Sequence, residues 1–406
     1  MNYNLKKVLL IAVLTVVIGV VILRAVPYPE PGQEGQSMAG GSSRLSELLG
    51  DQGREGYAQA IENRDFVFPA DHGPHPDFRN EWWYITGNLD SENGRRFGFE
   101  LTIFRFSLTP PGTESSAEES AWRGNQVYIG HFAVTDGGEG QFHVAQRYSR
   151  GSLGLAGAVA DPFRVWLDNW SIAGARSGGR SKDEYEFGQP WRLQARDGEI
   201  ALDLTLVPQK APVLNGVNGL SQKAAMAGNA SYYYSITRLQ TEGTLQIGDR
   251  EFVVSGLSWL DREWGSSGLS RDQVGWDWYA LQLSDGSDLM FYNLRRRDGS
   301  QDMHSAGTLT LADGSTVHLA KDDLIIEVLD TWQSPRGGRY PIAWKIEVPE
   351  ASLSLTIDPL MDAQELVTTV RYWEGAVDVS GRHGTTPITG RGYVELTGYE
   401  GSDGPR

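Results

Sequence analysis

Cysteine is absent from all 406 residues, which removes disulfides, thiolate metal sites, a cysteine nucleophile and a lipidated N-terminal cysteine together. The redox compartment stays open, because a chain without thiols is indifferent to it. Positive charge is scarce: 36 Lys and Arg stand against 52 Asp and Glu, a net charge of -16. Such a field repels phosphate backbones, so no nucleic acid is expected among the partners. Several catalytic signatures are also missing. No Gly-x-Ser-x-Gly elbow, phosphate-binding Gly-Lys-Ser/Thr loop, dinucleotide fingerprint or His-Glu-x-x-His pair occurs, which argues against a serine esterase, an NTPase and a zincin.

Long apolar runs are confined to the N-terminus. Lys6 and Lys7 precede "VLLIAVLTVVIGVVIL", Val8 to Leu23, sixteen uncharged residues closed by Arg24. At about 1.5 Å per residue this is slightly short for a spanning helix and overlaps a signal-peptide core. Residues 1–25 are therefore expected to be a hydrophobic signal-anchor helix or a signal peptide. The two lysines favour a cytoplasmic N-terminus, with the remainder exported: held at the periplasmic face of the inner membrane if anchored, periplasmic or secreted if cleaved. Pro27 to Ser43 has the composition of a flexible tether. "SRLSELLGDQGREGYAQAI", Ser43 to Ile61, has helical spacing, so 26–65 reads as a linker carrying a short helix.

Beyond Phe66 the pattern changes to period two. "FGFELTIFRF", "VYIGHFAVTD", "IALDLTLVP", "LMFYNLR", "LSLTID" and "GYVELTGY" are β-branched or aromatic runs broken by Gly, Asp and Asn. The 49 glycines have no collagen period, and turn-rich β structure accounts for them. A mostly β chain of antiparallel barrels or sandwiches follows. "WYITGNLDSENGRRFGFELTIFR" from Trp83 reads against "WYALQLSDGSDLMFYNLR" from Trp278, and "EGTLQIG" from Glu242 against "EGAVDVSG" from Glu374. The next strands set Trp259 against Tyr393 and Asp261 against Glu395. Two β-barrel halves, 66–270 and 271–406, are expected.

The charged and aromatic clusters sit on these strands. "SWLDREWG", if extended, puts Trp259, Asp261 and Glu263 on one face and Leu260, Arg262 and Trp264 on the other. Two carboxylates beside an indole repel each other and are desolvated, which raises one carboxyl towards the range of a general acid. A salt bridge to Arg105 or Arg295 is the alternative. In "NEWWYITG", Glu81 and Trp83 share a face that would line a barrel lumen, with Trp82 and Tyr84 opposite. "GWDWYALQL" places Trp276 and Trp278 on one face and Asp277 and Tyr279 on the other, while "YWEGAV" joins a tryptophan to Glu374. His131 is a strand histidine that fits a core or a pocket. His72, His75 and Asp77 could ligate a metal, although Gly73, Pro74 and Pro76 make that stretch an irregular loop.

Taken in order, "HPDFRNEWWYITGNL", "GLSWLDREWGSS", "GWDWYALQLSDGSDLMFYNLR", "YWEGAV" and "GRGYVELTGY" resemble the AttH-like group of predicted secreted hydrolases, related to the carotenoid 1,2-hydratases. The likeness runs from Phe66 to Tyr399. It implies two tandem lipocalin-like barrels and relatives that hydrate isoprenoid double bonds, act as pericyclase-like enzymes or are encoded beside ABC transporters. Hydration of a carbon-carbon double bond needs a neutral carboxylic acid, aromatic faces for the cation and a positioned water with a base, without metal or organic cofactor. Asp261, Glu263, Asp277 and Tyr279 are the expected acid, base and water-site groups. Glu81, Trp83, Tyr84, His131, Trp259, Trp264, Trp276, Trp278 and Arg295 are expected around a lipophilic small molecule. A non-catalytic carrier of such a lipophile, working with ABC transporter components, is the second expectation.

Overall fold

A computed structural model describes residues 53–113, 124–174 and 188–400. The N-terminal apolar segment lies outside the described residues. Among the described residues no helix is long and apolar enough to cross a membrane. The described part of the expected linker helix, residues 53–61, forms turns and bends instead. Gly53 and Gly56 there adopt φ of 80° and 82°, left-handed values that do not continue an α-helix.

The chain is almost all β. The first sheet is built from β1 (Asn80–Ser91), β2 (Arg96–Ser107), β3 (Gln126–Asp136), β4 (Gln141–Arg150), β5 (Ala156–Ala160), β6 (Phe163–Leu167), β7 (Trp170–Ala173), β8 (Trp191–Asp197), β9 (Ile200–Pro208), β10 (Val213–Leu214), β11 (Leu220–Gln222), β12 (Ala230–Ile247) and β13 (Arg250–Gly265). The second uses β14 (Gln273–Leu283), β15 (Asp288–Arg296), β16 (Ala306–Thr310), β17 (Thr316–Ala320), β18 (Ile325–Gln333), β19 (Arg339–Val348), β20 (Leu353–Pro359), β21 (Glu365–Val367), β22 (Arg371–His383) and β23 (Thr386–Thr397). All pairings are antiparallel, and each sheet curls into a barrel-like half around its own apolar core.

The two halves share one topology. The first sheet runs β4-β3-β2-β1-β13-β12-β9-β8-β7 and continues to β6 and β5; the second runs β17-β16-β15-β14-β23-β22-β20-β19-β18. Thus β1 corresponds to β14, β13 to β23 and β12 to β22. Arg105 sits opposite Glu81 and Arg295 opposite Gly275. Aligned on those arginines, Tyr84 matches Trp278, and Asp261 opposite Tyr84 matches Glu395 opposite Trp278.

This corrects the sequence repeat in two places. Trp83 and Trp278, equated in the sequence, face opposite sides: Trp83 enters the core of the first barrel, whereas Trp278 belongs to a third apolar cluster that contains residues of both sheets. A one-residue slip in a period-two strand inverts every face. Glu242 lies opposite Ser255 near the exposed end of its strand, while Glu374 is fully buried opposite Glu395, so those two are not equivalent.

The packing of the halves explains the burial of β13. Outer strands such as β8 alternate, with Trp191, Leu193 and Ala195 inward and Arg192 outward. From Ser258 to Gly265 every residue of β13 is buried, because one face lines the first barrel and the other meets the second.

Candidate active site

The face of β13 turned towards the second half carries Trp259, Asp261 and Glu263, and with Tyr84 and Tyr233 it forms one side of a cavity of about 120 Å³. Trp276, Trp278, Glu374 and Glu395 close it from the second sheet. The pocket therefore lies between the barrels. Its walls are aromatic: Tyr84 and Trp278 meet edge to face with ring centres 5.1 Å apart, and Trp259 meets Trp278 at 6.4 Å.

Asp261 is 4% exposed and accepts three hydrogen bonds. Trp259 Nε1 donates to Oδ1 at 2.6 Å, Ser235 Oγ to the same oxygen at 2.5 Å, and the Tyr233 hydroxyl to Oδ2. Tyr233 in turn accepts the Trp278 indole N–H at 3.1 Å. Burial pushes Asp261 up to about 6 against the pull of these donors. Glu395 is pushed further, to about 8, first by burial and then by the negative charges of Asp261 and Glu263; the Trp276 side chain opposes the shift. These shifts favour an ionised Asp261 and a protonated Glu395 near neutral pH.

Two more carboxyls lie behind. Glu374 accepts the Tyr84 hydroxyl at 2.9 Å, and burial followed by repulsion from Glu395 and Glu100 raises it well above the ordinary range. Glu100 is 0% exposed and neither of its oxygens has a hydrogen-bond partner among the described residues. Desolvation raises it well above the ordinary carboxyl range, with the nearby Thr102 hydroxyl pulling the other way. Glu263 differs, being held by Ser231 and by Lys223 Nζ at 3.2 Å.

Of the residues expected from the sequence, Tyr84, Asp261, Glu263, Trp276 and Trp278 line this pocket, and Trp259 braces Asp261. The others are placed elsewhere. Glu81 faces the interior of the first barrel, paired with Arg105 and Arg262, and its carboxylate accepts the His75 amide at 3.0 Å. Burial alone would raise Glu81, but the two guanidiniums hold it well below the usual carboxylate range. Arg262 lies 4.0 Å from the Trp83 ring centre, and Trp264 stacks on His75 at 3.7 Å. Glu81, Trp83 and Trp264 thus form a buried ionic and aromatic brace.

Asp277 and Arg295 pair at 2.9 Å, joined by Asn293 and Tyr399, and Tyr279 packs on Trp344 in the core of the second barrel. The alternation that turns Trp276 and Trp278 into the pocket turns Asp277 and Tyr279 away from it. His131 bonds Gln146 at 2.8 Å and the hydroxyl of Tyr372, which does line the pocket. Burial lowers His131 to about 3, so it is neutral. Among the described residues no group of three or more His, Asp and Glu could hold a metal ion. His72 instead bonds the Tyr234 hydroxyl at 2.6 Å.

Glu374, Glu395, Tyr233 and Lys223 are among the pocket residues outside the sequence selection. Two of them left a trace there, since "YWEGAV" and the match of Asp261 with Glu395 were both visible. Lys223 left none, because it sits in an irregular loop.

These features define a two-barrel β protein with an aromatic, carboxyl-lined pocket at the junction. The AttH-like family pattern matches residues 59–399, and the chain belongs to that family. An AttH crystal structure from Nitrosomonas europaea is similar at 33% identity with a TM-score of 0.72, covering 84% of this chain and 99% of that one. Kievitone hydratase from Nectria haematococca shares the fold at 16% identity and a TM-score of 0.61, covering 85% of this chain and 97% of that one. Among curated proteins, the dehydratase asqC of Emericella nidulans is 25% identical over 239 residues, 55% of this chain. The match spans 60% of that relative's length.

Proposed function

We propose that the protein is a hydro-lyase that adds water to, or removes it from, a carbon-carbon double bond of a lipophilic, isoprenoid-like substrate. One observation carries this reading: two buried carboxyls, Glu395 and Asp261, line one aromatic pocket, and their surroundings raise Glu395 to about 8 and Asp261 to about 6. Pairs of acids whose environments drive their pKa values apart are suited to acid and base roles. The dehydratase and hydratase named among the relatives support the same class of chemistry.

In hydration, the Glu395 carboxyl gives its proton to one alkene carbon. The carbocation left on the other carbon faces Trp276, Trp278 and Tyr84, whose ring faces stabilise positive charge. Water attacks that carbon, and its surplus proton passes to Asp261, directly or through the Tyr233 hydroxyl. The acid has lost one proton and the base has gained one, so exchange with solvent resets the site. Dehydration is the same path reversed. The assignment of the acid to Glu395 differs from the sequence expectation, in which Asp261 or Glu263 donates.

The test is incubation with acyclic isoprenoids in ¹⁸O-labelled water, followed by mass spectrometry. Product carrying labelled water, lost in both Asp261→Asn and Glu395→Gln, is the expected result. A lipophile recovered bound but unchanged would contradict the enzyme and favour the carrier.

A further inference from the structure

We propose that Lys223 is a specificity residue that binds a neutral carbonyl oxygen at one end of an otherwise apolar substrate. This rests on the pocket being the substrate site and adds the class of molecule it takes. Lys223 is the single cation lining the pocket among the described residues. Its ammonium lies 3.2 Å from Glu263, 4.0 Å from the Tyr292 ring centre and 5.1 Å from that of Tyr233. An ammonium has three donors. One is directed at Glu263, and the other contacts are ring faces that offer no lone pair.

The neighbouring hydroxyls are already engaged. Ser231 donates to Glu263, Ser267 to Asn229, and Tyr292 is bonded to Ser221 at 2.9 Å. Asn80 is 2% exposed and also lines the cavity; its Oδ1 has no hydrogen-bond partner among the described residues and, being an acceptor, takes a donor such as water rather than the carbonyl. Asn80 and Ser231 both sit opposite Gly265, so this end of the pocket is polar while Trp82, Leu269, Trp276 and Leu294 supply apolar lining.

Charge decides what the polar end accepts. Glu263 already neutralises Lys223, and Asp261 adds a negative charge when ionised. A carboxylate or phosphate head would meet that excess, whereas a ketone or amide oxygen accepts from Lys223 without it. Glu263 and Asp261 are two residues apart on one face of β13, about 7 Å, the length of about five covalent bonds. A probe is therefore chosen whose carbonyl oxygen lies about that far from a double bond, the spacing between Glu263, which holds Lys223, and Asp261.

Geranylacetone has this spacing and serves as the probe, beside the hydrocarbon of the same skeleton and the carboxylic acid of equal length. Binding to the full-length protein is measured by titration calorimetry. The ketone is expected to bind about tenfold or more tighter than the hydrocarbon, the gain of one hydrogen bond to a charged donor, and the acid more weakly than the ketone. Lys223→Met should abolish the ketone's advantage and leave hydrocarbon affinity in place. Lys223→Met combined with Glu263→Gln restores charge balance if the single variant folds poorly. The idea is overturned if the advantage survives in these variants, if the acid binds most tightly, or if the wild type binds none of the three. Binding is read without turnover: a wild type that adds water but shows no preference for the ketone sinks this inference alone, and a wild type that prefers the ketone but adds no water sinks only the hydro-lyase.

Discussion

Asp261 and Glu395 occupy matching positions in the two sheets, one opposite Tyr84 and the other opposite Trp278, and both face the pocket where the halves meet. A duplicated β topology has brought one carboxyl from each half to a common site. Their different surroundings shift them by different amounts: three donors hold Asp261 down against burial and the charge of Glu263, whereas Glu395 has the Trp276 side chain against burial and the charges of both Asp261 and Glu263.

Asp261→Asn should lower turnover by about 10² to 10⁴, the usual contribution of a general base, with an unchanged far-ultraviolet dichroism spectrum. Activity within a few-fold of wild type in a purified, folded variant would remove Asp261 from the mechanism.

The pH profile of kcat/KM should be bell-shaped. Activity rises with pH as Asp261 loses its proton near about 6 and falls as Glu395 loses its own near about 8. Glu395→Asp should retain some activity and move the alkaline limb, while Glu395→Gln removes the acid. An alkaline limb that stays fixed in Glu395→Asp would contradict the assignment.

Protonated carboxyls at the junction also make stability depend on pH. Glu100 in the folded state titrates above its ordinary value of 4.5, so from that pH upward the unfolded chain has released a proton that the folded chain still holds. Folding stability then falls as pH rises through the window above 4.5, by linkage. Glu100→Gln should reduce this slope in thermal melts taken from pH 5 to pH 9. A slope equal to wild type would show that Glu100 is ionised when buried.

Glu81 has a structural assignment. Glu81→Gln removes the negative partner of two buried guanidiniums and should cost about 3 to 5 kcal/mol in urea unfolding, the range for breaking a buried ion pair. Asp277→Asn should likewise destabilise, through Arg295, while turnover of the folded molecules is unchanged. A selective loss of turnover in Asp277→Asn would return that residue to the chemistry.

The fold was legible because period-two runs and turn residues report local conformation directly. The two faces of β1, β13 and β14 were also legible, and they separated Asp261 and Glu263 from Arg262 and Trp264 correctly. Which face becomes a pocket was not, since both faces of these strands are largely buried and on β13 each carries charge and tryptophan. Only the docking of the halves distinguishes the Glu81 side, filled by Arg105 and Arg262, from the Asp261 side, which has no guanidinium lining it among the described residues. Lys223 was hidden for a different reason. Its position depends on a loop that no periodicity describes.

The central claim is that Glu395 is a protonated acid facing an ionised Asp261 at neutral pH. The direct measurement is an infrared titration of the carboxylic C=O stretch in the wild type, with Glu395→Gln and Asp261→Asn as difference references. The account predicts a protonated-carboxyl band at pH 7 that disappears near about 8 and is missing from Glu395→Gln, and a second that disappears near about 6 and is missing from Asp261→Asn. A Glu395 carboxyl already ionised at pH 7, or an Asp261 still protonated there, would contradict it.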